Sequence, residues 1–151
     1  PNYIYHLLPE EFNYPDRVIR KIRDTFDRRG RWNPPGQYSE GRVYIETSTG
    51  ALDKIIQAVE LVYDDDQEVY QYPITVEDGE FIVDVSNGNS ASGTLPSKKI
   101  EGPRCDNSYG SRFAKAVNNL SGQVELHTVP KGPLAIVERN RGHIYRYIIP
   151  A

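Results

Sequence analysis

The chain has 151 residues, a length that suits one domain and supports a buried core without metal or disulfide staples. A net charge of −3 argues against a dedicated nucleic-acid binder, which would carry a basic face, while leaving room for a local basic patch. The single cysteine, Cys105, excludes an internal disulfide, and no apolar run reaches membrane-spanning length.

Eleven tyrosines, twelve glycines and eleven prolines point to short strands joined by turns rather than to a helix bundle. Tyr3, Ile4 and Tyr5 predict a first strand. Asn13 to Pro15 reads as a helix start, with Val18, Ile19, Ile22 and Phe26 at helical spacing, cations on the other face and Gly30 as the stop. Trp32 to Gly36 is a loop, and Tyr38 to Ile45 begins a sheet. Residues 51–63 carry two periods at once: Leu52, Ile55, Ile56, Val59, Val62 and Tyr63 fit a helix, whereas Val59, Leu61 and Tyr63 alternate like a strand. The polar turn Asp64-Asp65-Asp66-Gln67 tips the balance towards helix or irregular structure through about residue 57. A strand then follows, paired as a hairpin with Glu68 to Ile74. The three aspartates lack the ligand spacing of a cation site.

Phe81 to Val85 is another strand, residues 86–97 are a flexible Ser-, Gly- and Asn-rich loop, and 98–109 stays loop-like. Phe113 to Val117 and Gln123 to Val129 read as strands, and Leu134 to Val137 pairs with His143 to Ile149. One early helix followed by an antiparallel sheet gives an α+β class and a single domain over residues 1–151.

The chemistry concentrates in Tyr70-Gln71-Tyr72-Pro73-Ile74, followed by Arg112 and His127. This order resembles the fungal guanyl-specific ribonucleases, whose strand reads aromatic-Glu-aromatic-Pro-Ile before an arginine and a histidine. The resemblance implies a microbial ribonuclease-like fold, with one N-terminal helix packed on a central antiparallel sheet. It also implies metal-free RNA cleavage with no cofactor. Asn118-Asn119 through His127-Thr128 tracks the family's segment, which makes His127 the general acid. Arg112, or Arg104 as a competitor, would clamp the phosphate. Gln71 stands at the base position, and Glu40 in Tyr38-Ser39-Glu40 replaces a histidine that assists it. Tyr38, Tyr70 and Tyr72 would line the ligand cleft. A glutamine amide cannot accept the proton a base must take, and loss of a general base costs ~10²–10⁴-fold in rate. Each residue also has an ordinary structural role open to it: a histidine on a hairpin is usually a surface residue, and Arg112 has 21 carboxylates to choose from.

Glu68-Val69-Tyr70-Gln71-Tyr72-Pro73-Ile74 is similar to strands of the ribonuclease-like effectors of powdery mildew fungi. That similarity implies a non-catalytic, monomeric effector, secreted by the fungus into the host cytoplasm. Its partners would be RNA or a host protein such as a plant immune receptor, with no membrane role. The alternatives are an active ribonuclease with Glu40 as base and His127 as acid, or an unrelated protein-interaction domain.

Overall fold

The computed structural model describes residues 2–5, 41–63, 70–140 and 143–150. Ten strands and two helices are defined there. In chain order they are β1 (Asn2–Tyr5), β2 (Val43–Ser48), α1 (Thr49–Val62), β3 (Tyr72–Glu77), β4 (Glu80–Asn87), β5 (Asn89–Thr94) and β6 (Lys99–Glu101). Then come β7 (Cys105–Tyr109), α2 (Ser111–Val117), β8 (Gln123–Thr128), β9 (Leu134–Asn140) and β10 (His143–Ile149).

Strand β2 alternates buried Val43, Ile45 and Thr47 with half-exposed residues, so one face is fixed to the core. Ser48 ends it in extended conformation and caps the next element, its Oγ accepting the Ala51 N–H at 3.3 Å. Helix α1 buries Ala51, Leu52, Ile55, Ile56, Ala58, Val59 and Val62 and stops only at Tyr63, which returns to extended backbone. The strand expected after residue 57 is therefore helix. Its apparent alternation fails at Leu61, which is 75% exposed. Residue 72 onward pairs with β4 and β7 instead of with the end of α1.

The strands form two sheets. One has six strands in the order β1-β10-β9-β8-β2-β6, the other four in the order β5-β4-β3-β7. All pairs are antiparallel except β1 with β10. The chain repeats one plan: β2-α1-β3-β4-β5 and β7-α2-β8-β9-β10 are each a strand, a helix and a three-stranded meander. Each opening strand pairs with the other repeat's meander: β2 with β8, from Val43↔Thr128 to Ser48↔Gln123, and β7 with β3, from Cys105↔Val76 to Tyr109↔Tyr72.

Two loop expectations became sheet. Residues 86–87 end β4 and 89–94 form the second arm of a hairpin that turns at Gly88, whose φ of +83° suits glycine. Residues 99–101 and 105–109 are β6 and β7. Phe113 to Val117, expected as a strand, is helix α2: Phe113, Ala116 and Val117 are buried at i, i+3 and i+4, a helical stripe. Strands at 81–85, 123–128, 134–137 and 143–149 lie where the pattern put them. The expected helix at 13–29, the loop at 32–36 and the turn at 64–67 lie outside the described residues.

Both helices and both sheets share one apolar core, with Tyr109, Phe81 and Phe113 its largest fully buried side chains. Each such side chain contributes roughly 1.5–3 kcal/mol through removal of apolar surface from water. A buried polar network bridges the sheets. Asn107 Nδ2 donates to the Tyr109 hydroxyl, to Thr128 Oγ1 and to the Val129 carbonyl at 3.0, 3.1 and 2.8 Å, and Asn107 Oδ1 accepts the Lys131 N–H at 2.7 Å. Tyr109 donates to the Gly132 carbonyl at 2.8 Å. The turn between β8 and β9 is thereby held against the buried face of β7.

This architecture replaces the single N-terminal helix on a central sheet. Helices stand between strands, and two sheets of opposite repeats interlock.

Candidate nucleic-acid interface

The β3–β7 register sets Tyr72 opposite Tyr109, so residues 70–71, which precede β3, and residues 110–112, which follow β7, meet at one end of the four-stranded sheet. Helix α1 ends at the same place. The Tyr63 ring stands against Tyr70 edge-on at 5.7 Å, Tyr70 against Tyr72 at 6.4 Å, and Tyr72 lies against Phe113 of α2 at 5.5 Å. The four rings run from the core to the surface: Phe113 and Tyr72 are buried, Tyr70 and Tyr63 half-buried. Burial raises the Tyr72 hydroxyl pKa, and the nearby Glu60 and Tyr70 add to it.

The two helices touch, and each leaves one face to solvent. On α1 that face carries Gly50, Lys54, Gln57, Glu60 and Leu61, with Asp53 half-exposed beside it. On α2 it carries Ser111 and Lys115, one turn from half-exposed Arg112, and continues into exposed Asn118 and Asn119. The α2 face is positive, whereas Lys54 on α1 is offset by Asp53 and Glu60.

Of the residues singled out from sequence, Tyr70, Gln71, Tyr72 and Arg112 do come together here, although Tyr72 faces the core rather than a cleft. His127 does not join them. It sits on β8, in the other sheet, on the face that lies opposite the shared core and carries a second buried cluster of Val129, Ala135 and Val137. There its Nε2 lies 3.4 Å from Glu125, its ring meets Tyr44 at 5.0 Å, and Glu125 takes Arg139 at 3.2 and 3.3 Å. These partners hold the Glu125 carboxyl near pKa 2, the His127 hydrogen bond being the largest cause and Arg139 adding to it against the opposing effect of burial. Arg104 is exposed and pairs with Glu77 at 3.5 Å. Tyr38 and Glu40 lie outside the described residues. Among the described residues no group of three metal-ligating side chains converges, and no helix is long and apolar enough to cross a membrane.

Sequence reasoning passed over Tyr63, Lys54, Lys115 and Leu61. Their signal was the spacing 54, 57, 61 on one helical face and 112, 115 on the other, visible only once both segments are read as helices.

No protein-family model matches the sequence, and no curated protein does. Solved structures do. A DNA polymerase III beta subunit from Eubacterium rectale ATCC 33656 superposes with TM-score 0.59 over 74% of this chain at 20% identity, and the DNA polymerase sliding clamp of Bacillus subtilis with TM-score 0.58 over 94% at 17%. The fold is sliding-clamp-like. The chain spans about a third of each matched protein, 30% and 34% of their lengths.

These neighbours overturn the ribonuclease resemblance, and with it the effector reading, the alternative of an active ribonuclease, and RNA or a plant immune receptor as partner. The physical reason is visible in the motif. Tyr72 and Ile74 alternate inward because any strand of this sheet must bury every second residue, and Gln71 precedes the strand rather than sitting on a catalytic face.

Proposed function

We propose that the chain is one unit of a DNA clamp, a non-catalytic scaffold that holds DNA for a polymerase. The observation that carries this reading is the likeness of nearly the whole chain to the Bacillus subtilis sliding clamp. The surface is compatible with it. The paired helices offer Lys54, Arg112 and Lys115 beside the neutral donors Gln57, Asn118 and Asn119, a set suited to phosphates without reading bases. Few cations on an otherwise acidic chain give weak, sequence-independent attachment, which is what a protein that slides requires.

Joining to further units of the same fold uses β5. This strand is exposed along nearly its whole length and carries no charge or proline to protect its edge. Helix α1 packs on β5 and bears Leu61, the exposed large hydrophobic residue among the described ones.

The test is duplex DNA binding by fluorescence anisotropy at stepped salt concentrations. Three phosphate contacts give a log–log salt slope of about −3. The triple variant Lys54→Glu, Arg112→Glu, Lys115→Glu should abolish binding at low salt. Binding that ignores both salt and these three substitutions would sink the reading.

A further inference from the structure

The aromatic series at the end of the helix face does more than pack. We propose that Tyr70, backed by Tyr63, is a stacking platform for an unpaired base of single-stranded DNA lying beside the duplex, an inference that rests on the clamp reading above.

Two half-exposed rings in edge-on contact, braced through Tyr72 on fully buried Phe113, form a platform that is already ordered before a ligand arrives. A base can stack there without the entropy cost of fixing a loose side chain. The charge pattern selects the base rather than the backbone. Exposed Glu60 stands in the last turn of α1, three residues before Tyr63, and its negative charge disfavours phosphate more than a neutral base. The backbone finds its cations next door, where α2 carries Arg112 and Lys115. Aromatic faces flanked by cations are the usual means of holding single strands without sequence preference.

The test titrates the whole chain into an oligonucleotide that carries a fluorescent purine analogue in a single-stranded tail next to a duplex. A blunt duplex serves as control. Wild type quenches the analogue on binding. Tyr70→Leu, which keeps an apolar side chain against Tyr72, loses the quenching and binds the tailed substrate about tenfold more weakly, the worth of one base–aromatic stack. Tyr70→Phe keeps both, and thermal unfolding confirms that each variant is folded.

Unchanged quenching and affinity in Tyr70→Leu overturn the platform while the clamp reading stands on its duplex binding. Failure of wild type to bind either DNA overturns both. Tyr70-dependent binding of a proline-rich peptide, with no quenching by the tailed DNA, overturns the platform in favour of a protein ligand.

Discussion

Strands β5 and β10 hold equivalent places, each the last strand of its repeat's meander, yet their outer edges have different fates. Beside β10 lies β1, in parallel, from Asn2↔His143 to Tyr5↔Arg146. Beside β5 no strand lies among the described residues, and only Ala91 of its six residues is even half-buried. The β6 edge is guarded: that strand is three residues long, with a Lys99–Glu101 ion pair and prolines at 96 and 103. One fold position is thus occupied by β1 in one repeat, while in the other the described residues place no strand beside β5.

What ties the two repeats together differs from what each repeat offers outward, and substitutions separate the two. Asn107→Ala removes the amide that satisfies Tyr109, Thr128, the Val129 carbonyl and the Lys131 N–H. It leaves buried polar groups unpaired at a cost of roughly 3 kcal/mol, read as a lower denaturant midpoint. Leu61→Asp, by contrast, leaves folding almost untouched because the side chain is already in water. In the clamp proposed above it weakens association of units by about 2 kcal/mol, roughly thirtyfold, since it forfeits burial of one leucine. Sedimentation over a concentration series measures this. Ser92→Lys on the β5 edge should act in the same direction, and self-association indifferent to both would place the joining surface elsewhere.

The sheet was legible wherever strands bury one face. Phe81 to Val85 and Gln123 to Thr128 show their period-2 pattern in the bare sequence, and Leu134 to Val137, buried on both faces, reads as a continuous apolar run. The helices were not. Phe113 to Val117 is too short for its period to separate from a strand's, and what decides it is Phe113 closing on Tyr72, a neighbour 41 positions away in the chain (113 − 72). In α1 the pairs Leu52 with Ile55 and Ile56 with Val59 signalled helix correctly, but the aspartates beyond drew a strand into the last turn. The edge strand β5 was illegible for the opposite reason: with nothing buried on either side, Asn89 to Thr94 has no pattern to show. The candidate interface was half visible. Tyr70, Gln71 and Arg112 were chosen for a catalytic role, and topology brings them to one end of the four-stranded sheet. His127 was chosen with them and stands on the other sheet.

The outward face of the six-stranded sheet gives a milder contrast with the bare edge, because its charges are already paired. Glu125 has its pKa lowered from 4.5 to about 2 by His127 first and Arg139 second. A carboxylate whose folded pKa is depressed adds stability above its unfolded value, and loses that contribution as pH falls through the folded one. Glu125→Gln should therefore cost about 1 to 2 kcal/mol at neutral pH, reduced by screening because 23% of the side chain remains exposed. The gap between wild type and variant should shrink between pH 4.5 and 2 and close at the acid end. Urea unfolding at several pH values reads it, and a gap that is flat across this range would show that the ion pairs contribute nothing to β8–β9 cohesion.

Arg104 makes the smallest case and completes the comparison. Like Asn107 it joins a residue near β7 to another strand, here Glu77 at the end of β3, and by distance alone the two links look alike. Their surroundings are opposite. Asn107 is 5% exposed, so water cannot replace what it loses. The Arg104 and Glu77 side chains are 71% and 39% exposed, and water takes up either partner when the other is removed. Arg104→Ala should shift stability by no more than about 0.5 kcal/mol and lose even that in high salt. A larger loss that survived salt would mean the loop before β7 is held by packing at Gly102. There φ is +110° and a side chain would collide with the Arg42 carbonyl, so the constraint would belong to the backbone crossing between repeats rather than to the ion pair.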